Sequence, residues 1–419
     1  MNAPQAAGRI MQRLAALAAL TADPPRLTRV FLSEEHRHAN ELVAGWMAEA
    51  GMHARVDAMG NITGRVEGKT AALPALMLGS HLDTVRDAGR YDGMLGVVTA
   101  IECAQHIGAG VLPFALEVVG FGDEEGVRFG ATLLGSRAIA GTLDLNVLEA
   151  TDRDGISMAN ALRSFGLDPD TVTTAARRRE ELLAYVELHI EQGPVLERAG
   201  LPVGCVTSIN GATRLQVHLQ GMAGHAGTVP MAARQDALAA AAEVILAVEQ
   251  RCAREQDLVG TVGRIEASPG AVNVIPGECR FTIDVRAPQD TRRHQAVEDI
   301  RAALTAITDR RRIRCGIVVI HDSAASPCAP WLMQQIDAAI AAQGVVPQRL
   351  PSGAGHDAMA MAAIADIGMI FVRCAGGISH HPAESITQED AQAGFATLYR
   401  FVRELSVSPG PGPVRTLPC

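Results

Sequence analysis

The sequence has a single lysine, Lys69, among 37 lysine and arginine residues. Enzymes that form a Schiff base need a lysine amine, and a phosphate-binding P-loop ends in Gly-Lys-Ser/Thr. Arginine cannot act as a base in place of lysine, because its guanidinium stays protonated. The lysine count therefore argues against both kinds of chemistry.

Aromatic residues, paired cysteines and long apolar runs are also scarce. Only 3% of residues are aromatic while 48% are hydrophobic, so the core must consist mainly of Ala, Val, Leu and Ile. The eight cysteines form no Cys-x-x-Cys motif, which argues against a thiolate zinc site and fits a reduced, cytoplasmic setting. No apolar run reaches the ~18–20 residues of a membrane helix. The net charge of -9 argues against nucleic acid or an anionic membrane as a partner.

The N-terminal segment allows two interpretations. Arg9 and Arg13 precede a short apolar run, as in a cleaved signal peptide. Ile10, Leu14 and Leu17 recur with helical spacing, which predicts an amphipathic helix instead. We expect the helix.

The pattern along the chain predicts two domains and a tail. Apolar, β-prone runs alternate with helical patterns over residues 1–210 and 326–407, which predicts one discontinuous α/β domain. Residues 211–325 follow the order β-α-β-β-α-β, which predicts an inserted ferredoxin-like α+β domain. Residues 408–419 are rich in proline and glycine and predict a disordered tail. The main predicted strands are 73–79, 114–121, 184–190, 214–219, 258–266, 278–285, 313–321 and 367–373, and the main predicted helices are 34–50, 93–107, 231–252, 291–308, 330–342 and 388–405.

Several predicted strands end in residues of the kinds that bind metal ions. Strand ends in open α/β sheets are where ligands bind, so these side chains are candidates for one site. Neutral imidazoles and carboxylates are ligands for zinc, manganese and cobalt. The candidates are His81, Asp83 and Asp92 after strand 73–79, Glu124 and Glu125 after strand 114–121, His189 in strand 184–190, and His380 and His381 after strand 367–373.

Two of these pairs suggest a division of labour. A buried carboxylate is costly unless it is paired or bound to a metal, so Glu124 and Glu125 at the end of an apolar strand need an explanation. Because neighbouring strand residues point apart, one glutamate can bind a metal while the other acts as a base. His81 and Asp83 point the same way, so the Asp83 carboxylate can orient the imidazole.

Each feature taken alone has a plainer interpretation. A single histidine is more often a core or surface residue, and adjacent glutamates are usually a solvated pair. The glycine-rich stretches around Asp92 and at 352–356 are, alone, turns. The joint occurrence at several strand ends is much harder to explain by chance.

The same residues resemble a known family. Ser80-His81-Leu82-Asp83-Thr84, Asp92-Gly93 and Asp123-Glu124-Glu125-Gly126 are similar to motifs of the co-catalytic dinuclear metallopeptidases and aminoacylases. The match narrows to the carbamoylase branch, which contains N-carbamoyl-L-amino-acid hydrolases, allantoate amidohydrolases and β-ureidopropionases. Its further motifs are Glu187-Leu-His189-Ile-Glu-Gln192-Gly-Pro, Gly224-His225-Ala-Gly-Thr, Asn273-Val-Ile-Pro-Gly, Asp284-Val-Arg286 and Gly353-Ala-Gly355-His356-Asp. The peptidase branches usually carry Asp or Glu in place of His189, so a peptidase is disfavoured.

The resemblance, which covers about residues 30–405, implies a zinc-aminopeptidase-like mixed sheet and two divalent ions per subunit. The ions would be Mn2+, Zn2+, Co2+ or Ni2+. His81 and His189 would hold one ion, Glu125 and His380 the other, and Asp92 would bridge them, with His381 as the alternative to His380. Glu124 would be the general base and acid, assisted by Asp83.

The resemblance also implies the substrate contacts and a homodimer. Arg286 and Asn273 would bind the substrate carboxylate, and His225 would polarise the scissile carbonyl. Further contacts would come from Gln192, Gly355 and His356. Plainer alternatives are a surface arginine at 286, a turn cap at 273, a loop histidine at 225 and a helix-entry histidine at 356. The inserted domain would form the dimer.

Arg214 bears on the substrate. Allantoate amidohydrolases are often basic at the matching position, whereas carbamoylases are aromatic, so we expect hydrolysis of allantoate with release of ammonia and carbon dioxide. An extra guanidinium suits a substrate with two ureido arms and a carboxylate. The alternatives are a solvent-facing arginine with an N-carbamoyl-L-amino acid or β-ureidopropionate as substrate, and a non-catalytic binding protein on the same fold.

Overall fold

The computed structural model describes residues 3–406, so the predicted tail of 408–419 lies outside the described residues. The helices of this range are α1 Ala3–Ala18, α2 Glu34–Glu49, α3 Met94–Ile107, α4 Leu134–Ile139, α5 Met158–Phe165, α6 Val195–Ala199, α7 Ala237–Cys252, α8 Asp290–Arg311, α9 Pro330–Ala341, α10 Ala358–Met361 and α11 Gln388–Glu404. Its strands are β1 His53–Val56, β2 Ile62–Val66, β3 Ala75–His81, β4 Ala115–Phe121, β5 Leu182–Ile190, β6 Val203–Ile209, β7 Gly211–Gln220, β8 Gly224–His225, β9 Val259–Thr261, β10 Ile265–Ser268, β11 Val274–Ile275, β12 Glu278–Ala287, β13 Arg314–Ser323, β14 Ser326–Pro327, β15 Arg349–Ser352 and β16 Ile367–Val372.

The chain divides into two compact units. Of the described residues, the first contains those up to Cys205, Pro330–Gln348 and those from Met369 onward, and the second contains Val206–Ala329 and Arg349–Gly368. The predicted domain boundaries after residues 210 and 325 stay predictions. Within residues 3–406, no helix is both long and apolar enough to cross a membrane.

The first unit is built on a mixed sheet, as the sequence predicts. The strands follow the order β1-β2-β4-β3-β5-β16-β6. Strand β3 runs parallel to both of its neighbours, β4 and β5, whereas β1, β2 and β4 pair antiparallel. Every residue of β3 and β4 is buried, as expected for central strands. Because β3, β4 and β5 are parallel, their carboxyl ends meet at one edge of the sheet.

Helix α3 begins directly after the predicted ligand Asp92 and packs on this sheet. Its contact with β5 depends on Gly96, since a Cβ atom there would lie 2.2 Å from the carbonyl oxygen of Leu188. Helix and strand can therefore approach closely only with glycine at this position.

The N-terminal helix α1 is present, as the apolar spacing predicts, and its apolar face is buried. Fully buried Arg29 ties the end of this helix to the loop after β3. Its Nη1 donates to the carbonyl oxygens of Leu17 at 2.7 Å and Leu20 at 3.0 Å, and its Nε donates to that of Leu82 at 2.8 Å. Burial lowers the pKa of Arg29 to about 10. Leu82 follows His81, so the guanidinium fixes the backbone beside a predicted ligand.

The second unit contains a five-stranded antiparallel sheet with the order β10-β12-β7-β13, in which β9 also pairs with β12. Helices α7 and α8 pack against it, and their apolar residues form one buried cluster with the strands. The elements of this sheet and its helices follow the order β7, α7, β9 and β10, β12, α8 and β13, and their assignment to an inserted dimer-forming domain stays a prediction.

Two details of the middle segment differ from the sequence prediction. Helix α7 begins at Ala237 rather than at 231, because the Asp236 carboxylate accepts the N–H groups of Leu238 and Ala239 and caps the helix there. The strand predicted at 258–266 is two short strands, β9 and β10.

Candidate metal centre

The first unit brings together the predicted metal ligands at the carboxyl ends of β3, β4 and β5. Three overlapping groups have ligand atoms within 4.8 Å of one another. The groups are His81, Asp92 and His189; Asp92, Glu125 and His380; and His81, Glu124 and Glu125.

Asp92 lies at the centre of this arrangement and is 5% exposed. Its Oδ1 lies 3.0 Å from Nε2 of His189 and 3.4 Å from Nε2 of His81. Its Oδ2 lies 3.2 Å from Nε2 of His380, whose other carboxylate neighbour is Glu125 at 3.6 Å. The two oxygens of one carboxylate therefore face two different sets of ligands.

The imidazole tautomers indicate what the centre can hold. Nδ1 of His81 faces the carbonyl oxygen of Asp83 at 3.0 Å, and Nδ1 of His189 faces that of Ile190 at 2.9 Å. A carbonyl only accepts, so each Nδ1 carries the proton, and in neutral rings each Nε2 offers a lone pair. Lone pairs of two imidazoles then point at the Asp92 carboxylate, which also only accepts. A cation among these groups satisfies all of them, so the residues fit a divalent metal.

The pKa shifts of these groups also indicate that the centre favours positive charge. Burial lowers the pKa of His81, but Asp92 and the other nearby carboxylates outweigh it and raise the pKa well above its usual value. The hydrogen bond to Asp92 raises the pKa of His380 to about 9. Burial raises the pKa of Asp92, but the surrounding imidazoles hold it well below its usual range. Burial raises the pKa of Glu125 to about 7.

Asp83 holds the two glutamates rather than the imidazole. Its Oδ1 accepts the N–H of Glu124 at 3.1 Å, and its Oδ2 accepts that of Glu125 at 3.2 Å. Its carboxylate is 3.7 Å from Nδ1 of His81, whereas its backbone carbonyl is at 3.0 Å. The sequence predicts that the carboxylate of Asp83 orients His81. In the structure the backbone carbonyl of Asp83 is the nearer partner of this Nδ1, while its carboxylate accepts the two N–H groups.

The backbone around the centre is unusual at four residues. Gly93 has φ +70°, and a Cβ atom there would lie 2.5 Å from the His81 ring, so only glycine fits. Asp123, Gln192 and His380 also have positive φ, at 62°, 56° and 55°. Such conformations cost free energy in non-glycine residues and cluster at functional sites.

Gln192 lies at the centre, where its Nε2 donates to Oδ2 of Asp92 and to Oγ of Ser379, each at 3.0 Å. Among the described residues its buried Oε1 has no hydrogen-bond partner. His381, the alternative ligand, is exposed and its Nδ1 accepts the N–H of Ala383 at 3.1 Å. The structure thus brings His380, and not His381, to Asp92.

Ser379 and Glu384 also lie at the centre, and the sequence patterns do not predict either of them. Glu384 is 3% exposed, and its Oε1 accepts the N–H groups of Tyr91 at 2.8 Å and Asp92 at 3.1 Å. Ser379 Oγ lies 2.9 Å from Asp92 Oδ2 and 3.1 Å from Glu384 Oε2. The available signal was their position on either side of His380, but nothing in the sequence distinguishes Glu384 from a surface glutamate.

Two predicted substrate residues of the second unit lie at the short pair β8–β11, His225 as the last residue of β8 and Asn273 directly before β11. His225 is opposite Val274 in the register, and both His225 and Asn273 are exposed. Nδ1 of His225 accepts the N–H of Gly227 at 3.1 Å, and the carbonyl of Asn273 accepts the N–H of Ala226 at 2.9 Å. The His225 Nε2 edge is therefore left for another contact.

The two predicted guanidinium groups line one cavity of about 550 Å³ in the second unit. Nε and Nη2 of Arg286 donate to the two oxygens of Asp284 at 2.9 and 3.0 Å, and Nε of Arg214 donates to Oδ2 at 2.9 Å. Burial raises the pKa of Asp284, but these ion pairs outweigh it and hold the pKa below its usual range. Nη1 of Arg286 donates to the carbonyl of Gly353 at 2.8 Å. The remaining lining residues are Val259, Thr261, Gly263, Thr282, Ile283 and Ile320.

The last two predicted contacts also belong to the second unit. Gly355 is exposed. His356 is 1% exposed, and its Nε2 lies 2.7 Å from Oγ of Ser352. The roles predicted for both residues stay predictions.

Comparison with known proteins identifies the family. Residues 77–404 match the family described as Peptidase family M20/M25/M40. The chain belongs to this family. An N-carbamoyl-L-amino acid amidohydrolase of Geobacillus stearothermophilus is 43% identical over 401 residues, covering 95% of this chain and 98% of that protein. An allantoate deiminase of Arabidopsis thaliana is 41% identical over 423 residues, covering 93% of this chain and 81% of that protein.

A solved structure has the same fold as this chain. The hydantoinase/carbamoylase family amidase of Burkholderia multivorans superposes with a TM-score of 0.89 at 31% identity, covering 94% of this chain and 97% of that one. The family resemblance expected from the motifs is confirmed.

Proposed function

We propose that the chain is a metal-dependent amidohydrolase that removes a ureido group from a small carboxylate, with allantoate as the substrate. The observation that carries this proposal is the convergence of imidazoles and carboxylates on Asp92, with Glu124 beside them, in a chain similar to enzymes named for ureido substrates. Carbon–nitrogen bond hydrolysis at such a centre needs no lysine.

The proposed cofactor is a pair of divalent ions, Mn2+, Zn2+, Co2+ or Ni2+. His81 and His189 would hold one ion, Glu125 and His380 the other, and Asp92 both. When bound, two such ions lower the pKa of a water molecule and polarise a carbonyl. The acceptor-only groups that face each other around Asp92 support this assignment.

The proposed proton transfers use Glu124. Its carboxylate takes a proton from the attacking water and later gives it to the leaving nitrogen. Its backbone is fixed by Asp83, which limits the positions that the carboxylate can reach. His225 donates a hydrogen bond to the developing oxyanion. The water oxygen bonds to the ureido carbon, and the bond from this carbon to the nitrogen that stays with the rest of the substrate breaks. The carbamate so released breaks down to ammonia and carbon dioxide.

The proposed substrate contacts are Arg286 and Asn273 for the carboxylate, with Gln192, Gly355 and His356 as further contacts. Gln192 supports this assignment, because its buried Oε1 lacks a partner within residues 3–406 and a ureido N–H group could donate to it. Arg214 supports allantoate in particular. It adds a second guanidinium beside Arg286, and the two groups together suit a substrate with a carboxylate and two ureido carbonyls.

An N-carbamoyl-L-amino acid is the second candidate substrate. The cavity that contains Arg214 also has apolar lining from Val259, Ile283 and Ile320. Such a surface suits an aliphatic side chain. The relative from Geobacillus stearothermophilus is named for this substrate class.

We also propose a homodimer formed through the second unit. Strand β13 is at one edge of its sheet and, in the described range, pairs with β7 alone. Its Val318, Val319 and Ile320 are 59%, 47% and 52% exposed. A long, apolar edge strand is a template for pairing with another chain, and a two-fold axis would bring the same strand of a second copy against it.

A cytoplasmic location is proposed from the cysteines. The seven cysteines of the described range are all free, as expected in a reducing compartment. Six of them are buried, so oxidation would have to disturb the core.

The experiment that tests the proposed function is ammonia release from allantoate beside N-carbamoyl-L-methionine, each with added Mn2+. We expect kcat/KM to be at least ~10-fold higher for allantoate, a preference of about 1.4 kcal/mol. The variant Arg214→Gln should reduce activity on allantoate more than on the carbamoyl amino acid. A preference for N-carbamoyl-L-methionine would favour the second candidate, and no turnover of either compound would contradict the proposed function.

A further inference from the structure

We infer that Glu384 is a positioning residue that fixes Asp92 between its two sets of ligands. This inference rests on the metal centre of the proposed function and adds to it a residue outside the predicted ligand set. Glu384 comes from the loop after β16, whereas Asp92 precedes α3, so the contact joins two distant segments of the first unit.

The contacts leave Glu384 only one chemical role. Oε1 accepts the N–H groups of Tyr91 at 2.8 Å and Asp92 at 3.1 Å, and Oε2 faces the hydroxyl of Ser379 at 3.1 Å. The two N–H groups are full donors to Glu384, whereas the Ser379 hydroxyl has one proton for Glu384 and Asp92 together. A carboxylate that accepts from both N–H groups is stabilised although it is buried.

The space around Glu384 is equally restrictive. A Cβ atom on Gly89 would lie 2.2 Å from Cδ of Glu384 and 2.4 Å from its Cβ. The loop that leads to Asp92 therefore packs directly on the Glu384 side chain. Both the hydrogen bonds and the packing hold the backbone of Asp92 in one place.

Ser379 extends the same control to the Asp92 side chain. Its Oγ lies 2.9 Å from Asp92 Oδ2 and also receives a hydrogen bond from Gln192. The hydroxyl has one proton for two carboxylates, so Glu384 sets how far Ser379 donates to Asp92. With backbone and side chain both held, Oδ1 of Asp92 stays toward His189 and Oδ2 stays toward His380.

The predicted consequence is on metal affinity first. Partners that orient metal ligands typically change metal affinity or activity by about 10–100-fold when they are removed. Glu384→Gln keeps one oxygen for the two N–H groups but presents an amide donor to Ser379, so we expect a loss of about 10-fold in Mn2+ affinity. Glu384→Ala removes every contact, so we expect a loss of about 100-fold.

The experiment is a calorimetric titration of metal-free full-length protein with Mn2+. The variants are Glu384→Gln, Glu384→Ala and Ser379→Ala, and the control is Asp390→Asn. Asp390 is also buried, at 3% exposure, and its Oδ2 likewise accepts a backbone N–H and a hydroxyl, both from Thr387. Asp390 belongs to the capping box of α11, and its Oδ1 also accepts a hydrogen bond from Arg373. It therefore matches Glu384 in its burial and in its backbone and hydroxyl contacts, but lies at a different place in the first unit.

We expect Asp390→Asn to bind Mn2+ as the wild type does, while the Glu384 and Ser379 variants bind it more weakly. At saturating Mn2+ the variants should recover most of their KM but less of their kcat, a split that a loss of stability alone would not produce. If Glu384→Ala does not fold, Ser379→Ala still tests the inference, since it removes only one hydroxyl.

The outcomes separate this inference from the proposed function. Wild-type protein that binds Mn2+ but does not hydrolyse a ureido compound would contradict the proposed substrate and leave the role of Glu384 supported by the titration. Unchanged affinity in both Glu384→Gln and Ser379→Ala would overturn the positioning role alone. Wild-type protein that binds no divalent ion would overturn both.

Discussion

Asp83 holds Glu124 by its backbone, since the Glu124 N–H donates to Asp83 Oδ1 over 3.1 Å. The carboxylate of Asp83 is 1% exposed, and its pKa is raised, with burial as the largest cause. The contact fixes where the Glu124 side chain starts and so limits the positions that its carboxylate can reach. A base that must take a proton from one atom and give it to another is most effective when it is held within reach of both.

The first prediction concerns Glu124 itself. Glu124→Gln should reduce kcat by about 10²–10⁴-fold, because the amide cannot accept the proton of water. Mn2+ affinity should stay within a few-fold of wild type, which calorimetry can measure. Glu180→Gln is the control, as Glu180 is an exposed glutamate of the same unit. Near-normal turnover would refute the base assignment, and a large loss of Mn2+ would make Glu124 a ligand instead.

The second prediction concerns Gly93. Gly93→Ala places a Cβ atom 2.5 Å from the His81 ring, so the ring or the start of α3 must move. We expect loss of Mn2+ binding together with a lower melting temperature. Gly108→Ala, at the other end of α3, is the control. Gly108 also has a positive φ of +76°, but a Cβ atom there has nothing within 4 Å. Equal effects of the two substitutions would mean that backbone strain, and not the His81 contact, is decisive.

The third prediction is a pH dependence that arises away from the metal ligands. Burial lowers the pKa of His36 to about 3, and its Nδ1 accepts the N–H of Leu32 at 3.1 Å. The unfolded chain binds this proton below about pH 6.5, whereas the folded chain stays neutral. Stability from this group is therefore complete above pH 6.5 and falls as the pH drops toward 3.

His36→Gln should remove that dependence. The difference in unfolding free energy between wild type and variant should shrink by about 2 kcal/mol between pH 6.5 and 5, as measured by denaturant titration. His38→Gln is the control, because His38 is exposed on the same helix. A constant difference across this range would show that His36 takes up its proton equally in the folded and unfolded chains, which would contradict the lowered pKa.

The fourth prediction tests the proposed dimer. Val318→Arg places a charge on the exposed edge strand β13 and should weaken self-association by ~10-fold or more. Val111→Arg, on a residue of the first unit that is 51% exposed, should have no effect. Sedimentation velocity over a concentration series measures both. A monomeric wild type, or a Val318→Arg variant that dimerises normally, would contradict the proposed interface.

Much of the fold follows from local patterns in the sequence. The apolar runs that end at His81 and His189 predict central strands because such strands must be apolar along their length. The ferredoxin-like order is predictable because the alternating apolar pattern of a strand differs from the spacing of apolar residues along a helix. The predicted start of α7 is wrong because the Ala-rich sequence extends the helical pattern toward the N-terminus. The Asp236 cap determines where the helix begins.

The centre itself divides in the same way. The sequence predicts those metal-ligand candidates that lie at the ends of strands, because the carboxyl ends of parallel strands meet at one edge of the sheet. The sequence does not predict a role for Glu384, because this residue accepts hydrogen bonds from two backbone N–H groups that are 293 and 292 residues away in the chain. At Asp83 the backbone carbonyl, rather than the carboxylate, lies nearest to His81. This contact depends on the geometry of the loop, which residue spacing does not encode.

Arg29 links the N-terminal helix to the loop after β3. Two of its three carbonyl acceptors belong to Leu17, near the end of α1, and to Leu20, two residues beyond this end. Proteolytic removal of the residues before 21 would thus leave the buried guanidinium of Arg29 beside the backbone of Leu82 without these two acceptors. The N-terminal segment is far in sequence from the predicted metal ligands. Cleavage there would nevertheless be expected to inactivate the enzyme.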